Sequence, residues 1–306
     1  MAQVYRDSWL AAGRRAETYT REVSASSHLI VTLMCDDQPG IVHAISGAVV
    51  SAEGNITESQ QFSSHDTGRF FMRLQVETAL GAEALESALL PVVATYGMQH
   101  SVTEVGTPLR TLILGSTAKH CVVDLLGRQR DGHLPIEVPL VLANHPTLES
   151  TAEFFDVPFE WMPVTNAQEK AGFEQKVMEA VERHEVELVI LARYMQVLSP
   201  ELCEKLSGRV INIHHSFLPG FKGANPYRQA HERGVKLIGA TAHFVTEDLD
   251  EGPIIEQNVV RVDHSQSVSE LVRVGQDEES RTLAQAVGWY AEHRILLDGI
   301  RTIIFR

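Results

Sequence analysis

Val210-Ile-Asn-Ile-His-His-Ser-Phe-Leu-Pro-Gly-Phe-Lys-Gly223 opens as a strand and closes as a polar turn. Alternation over 210–214 puts Asn212 and His214 on one face and Ile213 on the other, so an amide and an imidazole share one crevice. The same alternation turns His215 away. Ligands of an open α/β sheet gather outside the carboxyl ends of its strands, which makes the polar residues after this strand the first place to look for chemistry.

Around that stretch, apolar runs over 111–115, 138–143, 186–192 and 237–245 alternate with helical patterns near 119–129, 147–156, 167–184, 200–207 and 225–233. Strands alternating with helices predict an α/β fold with a mostly parallel, Rossmann-like sheet over 111–306. A strand over 254–262, a long amphipathic helix over 267–292 and a short closing strand over 302–305 complete it. Two more strand ends are rich in polar groups, Leu191-Ala-Arg-Tyr-Met-Gln-Val-Leu-Ser-Pro200 and Ala240-Thr-Ala-His-Phe-Val-Thr-Glu-Asp-Leu-Asp-Glu-Gly252.

Alone, the acidic turn carrying Asp250 is an ordinary solvated loop. Beside Asn212 and His214 it completes the set that amide hydrolysis needs. Cleaving a formamide builds negative charge on the carbonyl oxygen, which a fixed donor such as the Asn212 amide stabilises. His214 can donate a second hydrogen bond and pass a proton to the departing nitrogen, while Asp250 holds the imidazole and orients or deprotonates the attacking water. The adjacent His214 and His215 do not read as a metal site, because strand neighbours diverge and no further ligand stands at zinc spacing.

The first part of the chain is organised differently. Residues 1–27 read as a polar arm. Residues 28–105 give a βαββαβ order (strands 28–34, 55–63, 69–77 and 98–104; helices 41–54 and 82–96), an α+β unit, and Val105-Gly-Thr-Pro108 begins a linker over 106–110. With 306 residues and 44% hydrophobic content the chain can bury two cores. Its net charge of −14 opposes nucleic-acid binding. No apolar run is long enough to span a membrane, and no secretory h-region stands at the start. Cys35, Cys121 and Cys203, odd in number and set among apolar residues, suit reduced thiols and a cytoplasmic location.

Asp37-Gln-Pro-Gly-Ile-Val42 opening the first helix, with Gly54-Asn-Ile56 closing it, resembles an ACT domain. That resemblance implies pairing into a homo-oligomer and an amino-acid effector near Asp37, Gly40, Asn55 and Ile56. Asn212-Ile-His214, Ser216-Phe-Leu-Pro219 with Gly223, Thr241-Ala-His-Phe-Val245 and Asp250-Glu-Gly-Pro-Ile-Ile-Glu-Gln257 resemble the formyltransferase superfamily that uses 10-formyltetrahydrofolate. The resemblance implies that Asn212, His214 and Asp250 are the catalytic trio with His243 beside them. It also implies that the backbone of Tyr194, Met195, Gln196, Val197 and Leu198 receives the pterin, and that Thr246, Asn144 and His145 line the pocket.

Within that superfamily the branches differ in what attacks the formyl carbon. Gly115-Ser-Thr-Ala-Lys-His120 lacks the second glycine with which the ribonucleotide transferases cradle a phosphate. The chain ends at Arg306 without the added C-terminal domain of the tRNA transferases. An ACT domain in front, with His214-His-Ser-Phe-Leu-Pro219 and Ala192-Arg-Tyr-Met-Gln196, resembles the hydrolytic branch. The implied reaction is hydrolysis of a linear amide C–N bond giving formate and tetrahydrofolate, with formate supplied to purine synthesis and one-carbon pools kept in balance. The folate is the substrate, and neither a metal nor another cofactor is implied. The alternatives are transfer of the formyl group to a small amine and, more remotely, a folate- or amino-acid-binding regulator without turnover.

Overall fold

The structure, a computed structural model, describes residues 26–218 and 226–306. All but the last two residues of the arm expected over 1–27, and the turn residues Pro219 and Gly223, lie outside the described residues.

Strand β1 (Ser27–Asp36), helix α1 (Ile41–Ser51), strands β2 (Asn55–Ser64) and β3 (Arg69–Thr78), helix α2 (Gly81–Tyr96) and strand β4 (Gln99–Glu104) follow in the βαββαβ order. They form an antiparallel sheet in the order β2-β3-β1-β4. Period-two alternation sends Leu29, Val31 and Leu33 of β1 and Phe70, Met72 and Leu74 of β3 under Ile45, Val49, Leu85 and Leu89 of the two helices. Asp37 and Gly40 occupy the β1–α1 turn, and Asn55 and Ile56 open β2.

The other face of that sheet is covered as well, which explains why β3 is buried on both sides. A two-stranded ribbon, β12 (Ile295–Asp298) and β13 (Arg301–Ile304), lays Leu296 and Phe305 against Phe71. Arg73, 1% exposed, donates from Nε and Nη2 to the Glu292 carbonyl at 3.2 and 3.1 Å and pairs through Nη1 with Glu58 at 3.2 Å. Ser64 Oγ donates to Asp298 Oδ2 at 2.8 Å. The closing strand therefore joins its own ribbon instead of the main sheet, with an added partner over 295–298.

Strand β5 (Leu109–Gly115) begins inside the stretch read as linker, Leu109 already pairing with Ile136. The main sheet adds β6 (Ile136–Ala143), β7 (Phe159–Trp161), β8 (Leu188–Ala192), β9 (Val210–His214), β10 (Leu237–Phe244) and β11 (Ile254–Arg261). Its order is β11-β10-β9-β8-β5-β6-β7, and β5 to β9 run parallel. Helices α3 (His120–Arg130), α4 (Glu149–Phe154) and α8 (Val268–Ala291) pack one face through Val122, Ala152 and Leu283. Helices α5 (Ala167–Arg183) and α6 (Pro200–Lys205) pack the other through Phe173 and Leu202. The stretch expected as one helix over 147–156 is a 3-10 turn at Pro146–Leu148 followed by α4. Helix α7 (Pro226–Glu232) lies between β9 and β10. The three cysteines are buried and free. Among the described residues no helix is long and apolar enough to cross a membrane.

The sheet is mostly parallel, as expected, and β10 is the strand that reverses. Strand β10 is antiparallel to β9, pairing Thr241 with His214 and Phe244 with Ile211. With Thr241 opposite His214 and Phe244 opposite Ile211, β10 starts at the edge where β9 ends and its carboxyl end falls beside the beginning of β9.

Candidate active site

That reversal sets His243 directly opposite Asn212. Asn212 Nδ2 lies 3.1 Å from His243 Nε2, and His243 Nδ1 lies 2.8 Å from the Phe244 carbonyl. A carbonyl only accepts, so Nδ1 carries the proton and Nε2 receives one from Asn212. The amide is thereby locked in orientation with its second N–H still available.

The loop after β10 folds back to bring Asp250 Oδ2 to 3.3 Å from His214 Nδ1, with Oδ1 at 3.7 Å from His243 Nε2. Hydrogen bonding from His214 holds the Asp250 carboxyl well below the usual carboxylate range, with His243 adding to the effect and partial burial opposing it. At 3.7 Å His243 is too distant for a hydrogen bond and its Nε2 already serves Asn212, so His214 is the dominant partner. Asp250 is therefore an anion positioned to steady a charged imidazole and, for the same reason, a weak base.

Asn212, His214, His243 and Asp250 line one cavity of about 270 Å³, together with Thr246 and the whole run Tyr194, Met195, Gln196, Val197 and Leu198. Local packing fixes that run. Arg193 has a left-handed backbone (φ +62°), the Met195 N–H donates to Ser116 Oγ at 3.2 Å, and the Tyr194 ring stacks on Phe173 at 5.3 Å. Tyr194 and Leu198 are buried, whereas Met195 and Val197 stand exposed at the mouth.

Asn144 and His145 do not line this cavity. They follow β6, which β8 and β5 separate from β9 in the sheet, and Asn144 is buried where its N–H donates to the Gly115 carbonyl. The orientation expected for His215 is also corrected. Strand β9 stops at His214, so alternation no longer governs the next residue, and the His215 ring meets that of His214 with centroids 4.8 Å apart and lines the same cavity.

Residues 109–287 match the formyl transferase family and residues 27–103 match the ACT domain family. A formyltetrahydrofolate deformylase of a Corynebacterium species is 44% identical over 280 residues, covering 90% of this chain and 98% of its own length. The chain belongs to the formyltetrahydrofolate deformylase family. The Bacillus subtilis deformylase is 40% identical over 296 residues, covering 95% of this chain and 98% of its own. A crystal structure of the Burkholderia mallei deformylase superposes with a TM-score of 0.88 at 45% identity, covering 92% of this chain and 100% of that one.

In this member of the deformylase family a second polar cluster, missed by sequence reasoning, adjoins the cavity. Glu279 of α8, 1% exposed, accepts from Tyr227 OH at 2.5 Å, lies 2.8 Å from His120 Nε2 and pairs with Arg193 Nε at 3.2 Å. Burial works against its charge, while His120, Arg193 and Tyr227 more than offset this and leave its titration below the ordinary range. Gly275 makes room one turn earlier, since a Cβ there would meet the Tyr227 ring at 2.2 Å. His120, Cys121 and Glu279 bring ligand-type atoms within 4.8 Å of one another. The guanidinium on that carboxylate and burial pushing the Cys121 thiol up make the group a poor cation site. No local signal marks Glu279, which reads as one more acid in Gln276-Asp-Glu-Glu279.

Proposed function

We propose that this chain is an enzyme that hydrolyses 10-formyltetrahydrofolate to formate and tetrahydrofolate, with Asn212, His214 and Asp250 as the catalytic groups. The observation that carries the reading is the His214–Asp250 pair standing beside an Asn212 amide whose orientation His243 fixes. His214 Nδ1 faces Asp250, so its Nε2 is the atom that takes a proton from the attacking water. The carbonyl electrons move to oxygen, where the free Asn212 N–H meets the developing charge. His214 then gives its proton to the folate nitrogen as the C–N bond breaks, and Asp250 stabilises the imidazolium in between.

The cavity's 194–198 run receives the pterin, Thr246 lies at its rim, and the groups named here supply the chemistry, with folate as substrate and no metal or further cofactor. Residues 28–105 act as a regulatory unit that takes a small effector, an amino acid, at Asp37, Gly40, Asn55 and Ile56 and pairs the chain into a homo-oligomer. Residues 111–306 carry catalysis, with 106–110 between the two units. The enzyme works in the cytoplasm, where the formate serves purine synthesis and turnover balances one-carbon pools. Its partners are small molecules, neither nucleic acid nor membrane.

One observation favours transfer to a small amine: a cavity of about 590 Å³ adjoins the first and shares Arg193, Met195 and His215 with it. Purified chain given 10-formyltetrahydrofolate without any amine separates the two. Hydrolysis yields formate and tetrahydrofolate in equal amounts; a transferase releases no formate, and forms tetrahydrofolate only once an amine is present to take the formyl group.

A further inference from the structure

Two ring nitrogens in the catalytic corner are buried and have no hydrogen-bond partner among the described residues, His214 Nε2 and His215 Nδ1. Buried polar atoms are nearly always paired, so two orphans on touching rings that line one cavity mark a place shaped for a hydrogen-bonding guest. His214 Nδ1 is engaged with Asp250, which leaves Nε2 as the face that ring offers.

His215 is kept uncharged. Burial, the Arg193 guanidinium and His214 all oppose its imidazolium, outweighing Glu279 and Asp250, and its titration is pushed down to about 4. Glu279 fixes Arg193 in that position through the 3.2 Å ion pair. A neutral imidazole presents one bare nitrogen, and with the proton on Nε2 the unpartnered Nδ1 of His215 is an acceptor that donates no hydrogen bond. Among the guests that could satisfy two acceptors at once, water fits by carrying two O–H bonds on one small atom.

We propose that His215 is a further catalytic residue of the hydrolysis, receiving one O–H of the attacking water while His214 Nε2 receives the other. The water oxygen bonds to the formyl carbon and its first proton goes to His214. The second proton, held toward His215, leaves with the formic acid and passes to solvent as that acid ionises. His215 ends the cycle as it began it. Its contribution is to aim the oxygen lone pair, a positioning effect of the kind that raises kcat with little change in substrate affinity.

The inference rests on the hydrolase reading, and the test separates the two. Formate release by the parent chain without an amine is measured first, and its absence would sink the hydrolase reading itself. With release established, His215→Phe and His215→Gln are compared for kcat, KM and affinity for tetrahydrofolate. His215→Phe, which fills the space without an acceptor, is expected to lower kcat about a hundredfold with KM and tetrahydrofolate affinity within about threefold. His215→Gln, which restores an acceptor, is expected to recover at least about tenfold of that loss. Parent-like kcat in His215→Phe would overturn the assignment. So would equal loss in both variants together with lost tetrahydrofolate binding, which would make the ring a packing element only.

Discussion

Asp250 Oδ2 reaches His214 Nδ1 at 3.3 Å from a backbone held at φ +58°. Left-handed backbone is costly for a residue with a side chain, though Asp tolerates it better than most. The cause is topological. Strands β10 and β11 are antiparallel, and the loop joining them must both reverse and lean over β9. Gly252 lets it close, since a Cβ there would fall 1.8 Å from the Phe244 carbonyl oxygen. Strain concentrated at the residue that meets His214 fits a loop whose shape serves the site.

Replacing Asp250 by Asn keeps the shape and the tolerance of left-handed backbone while removing the charge. We expect Asp250→Asn to fold and to bind tetrahydrofolate with parent-like affinity while kcat for formate release falls by about two to four orders of magnitude. Turnover within a few-fold of the parent would take Asp250 out of the chemistry.

Asn212→Ala removes the fixed donor and frees His243 Nε2 at the same time. The expected loss in kcat is roughly a hundred- to a thousandfold, with a smaller effect on KM. Asn212→Asp should be at least as damaging, because a carboxylate would face the developing oxyanion. A variant with raised KM and intact kcat would assign Asn212 to binding instead.

The acid limb of stability should carry the Asp250 signature. Its carboxyl titrates below the ordinary range in the folded chain, so the folded state binds fewer protons than the unfolded one as acid is added. The stabilising contribution is full above the unfolded value of about 4 and is lost as pH falls through the lower folded value. The Tm difference between parent and Asp250→Asn should stay constant from about pH 8 to about pH 5 and shrink below about pH 4. A gap that widens in acid would contradict the pairing.

The join between the two units has its own test. Arg73→Met would leave the Glu292 carbonyl without its two donors, while Glu58 keeps Arg294 at 3.4 Å. Because only one acceptor is stranded, the cost should be about 2 kcal/mol, read as a Tm lowered by a few degrees. The site lies elsewhere in the fold, so kcat at 25 °C should change far less than in the Asp250 or Asn212 variants; a collapse of kcat with Tm unchanged would show that Arg73 acts on the site directly.

Much of this was legible in the sequence because the signals were local. Asn212 and His214 share a face by alternation within one strand, and the βαββαβ order follows from apolar periodicity between turns. The direction of β10 was not legible, since Leu237-Ile-Gly-Ala-Thr-Ala-His-Phe244 has the same pleat whichever way it pairs. Three residues, Phe159 to Trp161, are too few to carry a period, and the four of β12, Ile295 to Asp298, are little longer. Glu279 stayed hidden for a different reason: its partners come from positions 120, 193 and 227, and only the fold brings them together.

The most direct test of the account is hydrolysis in water enriched in oxygen-18, with purified chain, 10-formyltetrahydrofolate and no amine. The account predicts formate carrying one labelled oxygen, formed in step with tetrahydrofolate and abolished in Asp250→Asn. Unlabelled formate, or no formate at all with tetrahydrofolate appearing only once an amine is supplied, would contradict it.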